Sequence, residues 1–155
     1  MDLLLVRHAI ATPRAPGRPD SLRPLTEAGR ERFRSGVRGL CHLGVHFDLV
    51  LHSPWQRAVE TALELAPLTE GEVAPTGLLA AEVGVDLFDR VQGHASVALV
   101  GHEPWLGDLA RLCLDPRSSV CFDLKKGGVL WLRGQARPAG FELVALLPPK
   151  VLARI

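Results

Sequence analysis

Arg7, His8, Arg57 and His102 are the side chains in this sequence whose types and positions could do chemistry together. Arginine forks grip phosphate and carboxylate oxygens in pairs, and a neutral imidazole is a nucleophile that can carry a phosphoryl group on nitrogen. A second imidazole, if protonated, can stabilise the charge spread over the equatorial oxygens during transfer. Taken singly, each residue has a plainer reading. A histidine at a strand end is more often structural, and an arginine near a helix start is more often a solvated charge. Their joint placement, each at the end of an apolar run or in the helix after it, raises the chemical reading above the plain one. No GxxxxGK[ST] phosphate loop occurs, and no carboxylate pair lies at metal-ligand spacing with histidines. The economical expectation is phosphoryl transfer through a phosphohistidine, with no cofactor and no metal. Cys41, His42 and His46 form a small cluster of metal-ligating types, for which coincidence is the better reading.

The elements that must position these residues are legible as apolar runs and helix signals. Leu3–Val6 is a short buried strand, and Arg7 and His8 close it. Residues 9–24 hold four prolines and a glycine and read as a loop. Thr26 is placed to N-cap a helix with Glu27 in its first turn, Phe33, Val37, Leu40 and Cys41 on one face and Gly44 just past its end. Phe47–His52 is a second strand. Ser53, Pro54 and Gln56 then have the pattern of a capping box that starts a helix carrying Arg57 and ending before Pro67. Residues 67–77 read as loop, 74–79 as a weak strand and 86–91 as a short helix. Ser96–Gly101 is the clearest buried strand, and Pro104 is placed at the first position of a helix running to about Leu114. Gly128–Leu132 and Phe141–Leu147 read as a closing strand pair.

Strands alternating with helices predict an α/β three-layer sandwich, a mainly parallel sheet with helices on both faces. In such sheets the site lies outside the carboxyl ends of the strands. That rule selects His8, the Ser53–Arg57 segment and His102 for one rim.

Composition is that of a globular chain, which excludes wholesale disorder and argues against other classes. The chain has 155 residues, 47% apolar and 23% charged, enough for one domain spanning 1–155 with a real core. With 18 basic and 17 acidic residues the net charge is +1, which argues against a dedicated nucleic-acid binder or a polybasic membrane module. Fifteen of the 18 basic residues are arginine, a bias suited to anion binding, although GC-rich coding or a thermophilic habit is the better reading for most of them. Three cysteines without a CxxC spacing give no disulfide framework. No apolar run reaches spanning length and no signal-peptide layout opens the chain, so a cytoplasmic location is expected.

Four segments in order resemble one family. Leu5-Val6-Arg7-His8-Ala9 resembles the Arg-His-Gly signature of the histidine phosphatase superfamily, the phosphoglycerate-mutase-like proteins. Asp20–Gly29, Ser53–Thr61 and Gly101-His102-Glu103-Pro104 resemble that family's later blocks. The short length and the Asp20–Thr26 stretch are most similar to its SixA-type phosphohistidine phosphatases. The resemblance implies a phosphoglycerate-mutase-like fold, His8 as the nucleophile, Arg7 and Arg57 as the clamp on the phosphoryl oxygens, and His102 completing the pocket. It also implies that Arg23 reaches the phosphate, against the plain reading of Arg23 as a loop surface charge. The chain departs from the pattern in two places. Ala9 stands where glycine is usual, and the interval between Arg57 and His102 is too short for the lid that bears a glutamate proton donor in larger relatives. Glu82 is the best-placed replacement for that general acid, while Glu103 is expected to cap the helix after His102.

The absence of a strong acid bears on the substrate. An alkoxide leaving group needs a proton at the transition state, whereas the imidazole of a phosphohistidine leaves readily once its ring is protonated. The expected function is therefore a metal-independent phosphatase acting on protein phosphohistidine. The alternatives are a small-molecule phosphomonoesterase acting on sugar or nucleoside phosphates and, less favoured, a non-catalytic phosphate-binding module. The expected partner is a phosphorylated protein or small phosphorylated substrate, with neither nucleic acid nor membrane. His8 must be neutral to attack, and His102 is expected to serve better protonated.

Overall fold

The computed structural model describes residues 1–82 and 84–155. Its centre is a six-stranded sheet in the order β3-β2-β4-β1-β5-β6, formed by β1 (Asp2–Arg7), β2 (Phe47–His52), β3 (Thr69–Pro75), β4 (Ser96–Gly101), β5 (Val129–Gly134) and β6 (Phe141–Leu147). The first four strands are mutually parallel, β5 runs antiparallel to β1, and β6 pairs antiparallel with β5 at the edge. This is the expected α/β sandwich.

The central strands are apolar throughout because both faces are covered. Leu4 and Val6 of β1 join Ala98 and Val100 of β4 against α1 (Glu27–His42) and α2 (Gln56–Leu63). Leu3 and Leu5 join Val97 and Leu99 against α3 (Asp86–Val91) and α4 (Trp105–Leu114). A four-residue helix, α5 (Pro149–Leu152), closes the first layer, so near to α1 that a Cβ on Gly39 would stand 2.1 Å from the Leu152 carbonyl oxygen. No helix among the described residues is long and apolar enough to cross a membrane.

Several boundaries follow the sequence closely. Thr26 caps α1, its hydroxyl accepting from the Gly29 amide at 3.0 Å, and Gly44 follows the helix with φ +72°. Others are corrected. The third strand lies at 69–75 rather than 74–79, and Gly77–Leu79 is a 3₁₀ turn. Among the described residues this strand pairs only with β2, so its outer side faces water and it carries Glu70 and Glu72 without an apolar run. Its close pass over Asp48 requires Gly71, where a Cβ would stand 1.9 Å from the Asp48 carbonyl oxygen. Helix α2 begins at Gln56 with Trp55 at the N-cap, and Pro104 is the N-cap of α4 rather than its first residue.

Candidate active site

Sheet register places the site. Arg7 pairs with Gly101 across β1 and β4, and His52 pairs with Val100 across β2 and β4. The next residue of each strand then leaves the sheet at the same level. The His8 amide donates to the Gly101 carbonyl at 3.1 Å, and the Ser53 amide to the Val100 carbonyl at 3.0 Å. His8, Ser53 and His102 are therefore neighbours at the carboxyl rim, and Arg57 enters from the first turn of α2. All four are buried.

His8, Arg57 and His102 line a cavity of about 270 Å³ together with Arg7, Asp20, Arg23 and Trp55. The His8 and His102 ring centres are 5.1 Å apart. His8 Nδ1 lies 2.7 Å from the Ala9 carbonyl, which can only accept, so Nδ1 carries the proton and Nε2 keeps its lone pair. Arg57 Nε donates to that Nε2 at 3.1 Å. Ala9 is not in the left-handed region, and its amide donates to the Thr61 hydroxyl at 3.0 Å, so alanine serves at this position without strain.

Ser53 does not cap α2. Its hydroxyl lies 2.8 Å from His102 Nε2 and accepts from the Trp55 amide at 3.3 Å. Among the described residues His102 Nε2 is the one acceptor within reach of the Ser53 hydroxyl proton, so the hydroxyl is assigned as donor to it. That leaves the His102 proton on Nδ1. His102 Nδ1 and Arg7 Nε are buried without a hydrogen-bond partner among the described residues, and both residues line this cavity. Buried polar groups of this kind are rare and call for a ligand or a catalytic account. Two such donors beside the Arg57 fork fit an oxyanion.

The structure corrects the expectation for His102. Burial is the main cause of a pKa pushed down to about 3, with His8 and Arg57 adding to it. His102 is thus a neutral donor in the free site. His8 is lowered to about 4, again by burial first. The Ala9 carbonyl opposes this, while Arg57, Arg7 and Lys126 reinforce it. Its neutrality is as expected, with burial ahead of the arginines as the cause.

Arg23 also reaches the cavity, donating from Nε to Asp20 Oδ1 at 2.8 Å and from Nη1 to the Thr12 carbonyl at 2.8 Å. Arg57 donates through Nη1 to the Asp20 carbonyl at 2.7 Å and through Nη2 to Asp20 Oδ2 at 3.1 Å. Asp20 is the residue that sequence reasoning missed. Although burial opposes ionisation, hydrogen bonds from Arg14 and Arg23 and the charge of Arg57 hold its carboxyl down at about 2. An acidic residue three before an arginine, in a loop rich in arginine, was the available signal.

Glu82 is exposed, on the segment following the 3₁₀ turn, and is not among the residues lining the cavity. Glu103 does line it, but its two oxygens accept from the Gly107 amide at 3.0 Å and the Leu124 amide at 2.8 Å. It thereby ties the start of α4 to the segment before β5. Burial is the chief influence on its carboxyl, raising its pKa. Arg7 holds the same segment, donating through Nη1 to the Leu124 carbonyl and to Asp123 Oδ1. Among the described residues no three His, Cys, Asp or Glu side chains are grouped to hold a metal ion.

Comparison with known proteins agrees with this geometry. Residues 3–80 match the family model for the histidine phosphatase superfamily (branch 1), a span that includes Arg7, His8, Arg23 and Arg57. An uncharacterized protein of Picosynechococcus sp. is 36% identical over 163 residues, covering 98% of this chain and 99% of its own. The chain belongs to the histidine phosphatase superfamily. Among solved structures of that fold, the protein histidine phosphatase SixA complexed with tungstate superposes with a TM-score of 0.82 at 23% identity, covering 98% of this chain and 99% of that one. The alpha-ribazole phosphatase of Shigella flexneri superposes with a TM-score of 0.75 at 18% identity, covering 96% and 97%. Superfamily folds of this shape therefore include proteins named for a protein substrate and for a small molecule.

Proposed function

We propose that this chain is a metal-independent phosphatase that acts on protein phosphohistidine through a phosphoryl group carried on His8. Nε2 of His8, which accepts from Arg57 Nε in the free site, gives up that hydrogen bond and attacks phosphorus as the bond to the leaving imidazole breaks. The leaving ring takes its proton from water, and a second water then cleaves phospho-His8 to release inorganic phosphate. Arg7, Arg57 and the Nδ1 proton of His102 face the oxygens, with Arg23 supporting the clamp through Asp20. Charge stabilisation then comes from fixed donors, and His8 is held neutral for attack.

The observation that carries the substrate class is the state of the two carboxylates at the cavity. Asp20 is held ionised by arginines, and both Glu103 oxygens are committed to backbone amides. Neither is set to protonate an alkoxide, so the geometry favours a leaving group that needs no acid from the protein. The superposition on the protein histidine phosphatase SixA supports the same reading. The test is kcat/KM, with chelator present, for a histidine-phosphorylated protein against sugar and nucleoside monophosphates. Preference for the phosphohistidine is expected. Preference for a monoester would replace this reading with a small-molecule phosphomonoesterase.

A further inference from the structure

A second cavity, of about 500 Å³, adjoins the first and shares Arg7 and Lys126 with it. Arg32, Lys125 and Lys150 complete its charged wall, and Ile10, Pro148 and Pro149 give it an apolar floor. Among the described residues five cations and no carboxylate line this basin, in a chain whose overall charge is only +1. Asp123 pairs with Arg7 at 3.3 Å and with Lys125 at 2.8 Å. Arg32, Lys126 and Lys150 have no carboxylate within ion-pair distance among the described residues. Lys126 is close enough to the nucleophile to be one of the charges that lower the His8 pKa. The field of the basin therefore continues into the catalytic cavity.

We propose that this basin docks an acidic segment of the polypeptide that carries the phosphoryl group, its carboxylates meeting Arg32, Lys126 and Lys150 while an apolar side chain lies over Ile10 and the two prolines. The inference rests on the phosphohistidine-protein reading. A compact second phosphate would be gripped by converging donors of fixed geometry, as the catalytic cavity offers. The basin instead spreads exposed lysines and an exposed arginine around an apolar floor, which suits a chain with alternating chemistry. Exposed charges of this kind act mainly on encounter and register, and salt weakens them.

The probes are a histidine-phosphorylated peptide with flanking glutamates, the same peptide with glutamines, and p-nitrophenyl phosphate. The variant is Arg32→Glu combined with Lys150→Glu, both exposed residues outside the catalytic cavity. In the wild-type protein at low salt the glutamate peptide is expected to show a KM about tenfold below its glutamine counterpart, with similar kcat. The double variant is expected to erase that difference, as does high salt, and to leave the glutamine peptide and p-nitrophenyl phosphate unchanged. Equal KM for the two peptides in the wild type, or equal slowing of both in the variant, overturns the proposal. Fluorescence anisotropy with the unphosphorylated glutamate peptide separates it from the reading it rests on. If neither phosphopeptide is turned over yet charge reversal still weakens peptide binding about tenfold, the basin stands and the substrate reading falls. Peptide turnover with binding indifferent to charge reversal sinks the basin alone. A small bisphosphate ester that loses affinity in the variant while the glutamate peptide does not would assign the wall to a second phosphate and overturn the proposal.

Discussion

Two buried histidines that stay neutral in the folded state tie the stability of this protein to pH. His8 and His102 have folded pKa values of about 4 and about 3, while an unfolded histidine titrates near ~6.5. Their folded values are depressed, so the associated stability is present above the unfolded pKa and is lost as pH falls towards the folded values. At pH 5 the unfolded chain has taken up both protons and the folded chain neither, which costs roughly 2 kcal/mol per histidine, or about 4 kcal/mol in all. For a chain of this length that corresponds to a fall in Tm of about 8–16 °C between pH 7 and pH 5. The control is His8→Asn with His102→Gln. Asn retains a donor where Nδ1 meets the Ala9 carbonyl, and Gln retains a polar atom where Nε2 meets Ser53. Differential scanning calorimetry of both proteins at the two pH values isolates the contribution, because every other titrating group is common to them. The same fall in Tm in wild type and control would refute the reasoning, and with it the assignment of both rings as neutral in the free site.

Further outcomes follow from the same geometry. His8→Ala is expected to abolish both turnover and labelling by radiolabelled substrate in a rapid quench. The wild-type label should be lost in acid and kept in alkali, and label on serine or aspartate would contradict the mechanism. His102→Ala is expected to slow turnover by roughly 10²–10³ while His8 still takes label, as for loss of an oxyanion donor. Ser53→Ala leaves a buried ring nitrogen unpaired, and is expected to cost about 1–3 kcal/mol in urea unfolding and to lower kcat more than it raises KM. Gly39→Ala forces a Cβ onto the Leu152 carbonyl, and is expected to destabilise by roughly 1–3 kcal/mol, read from the urea midpoint, with kcat/KM of the folded enzyme unchanged.

How much could be read from the residues depended on whether local pattern and tertiary surroundings agreed. β1, β2 and β4 were legible because strands buried on both faces must be apolar throughout. β3 was not, since an edge strand pairs on one side and Thr69-Glu70-Gly71-Glu72 has the composition of a loop. α5 is four residues begun by a proline, too short for any periodic signal. The convergence of Arg7, His8, Arg57 and His102 followed from where parallel strands end. The role of Ser53 did not, because a serine before a proline and a glutamine makes a sound local cap. Only the register of β2 against β4 shows that His102 is its partner. Asp20 was hidden for a similar reason, as its three arginines come from positions 14, 23 and 57.

The hydrogen bond from His8 Nδ1 to the Ala9 carbonyl has a consequence for chemical identity. On the proposed mechanism it decides which of two phosphohistidine isomers this enzyme forms. With Nδ1 protonated and turned to the main chain, phosphorus can be taken only on the ring nitrogen remote from the backbone, giving the tele isomer and never the pros. The acceptor is a peptide oxygen, which no side-chain substitution removes. The isomer is thus dictated by the bend of the chain as it leaves β1, and mutations that reshape the cavity should alter the rate of phosphorylation without altering its position on the ring.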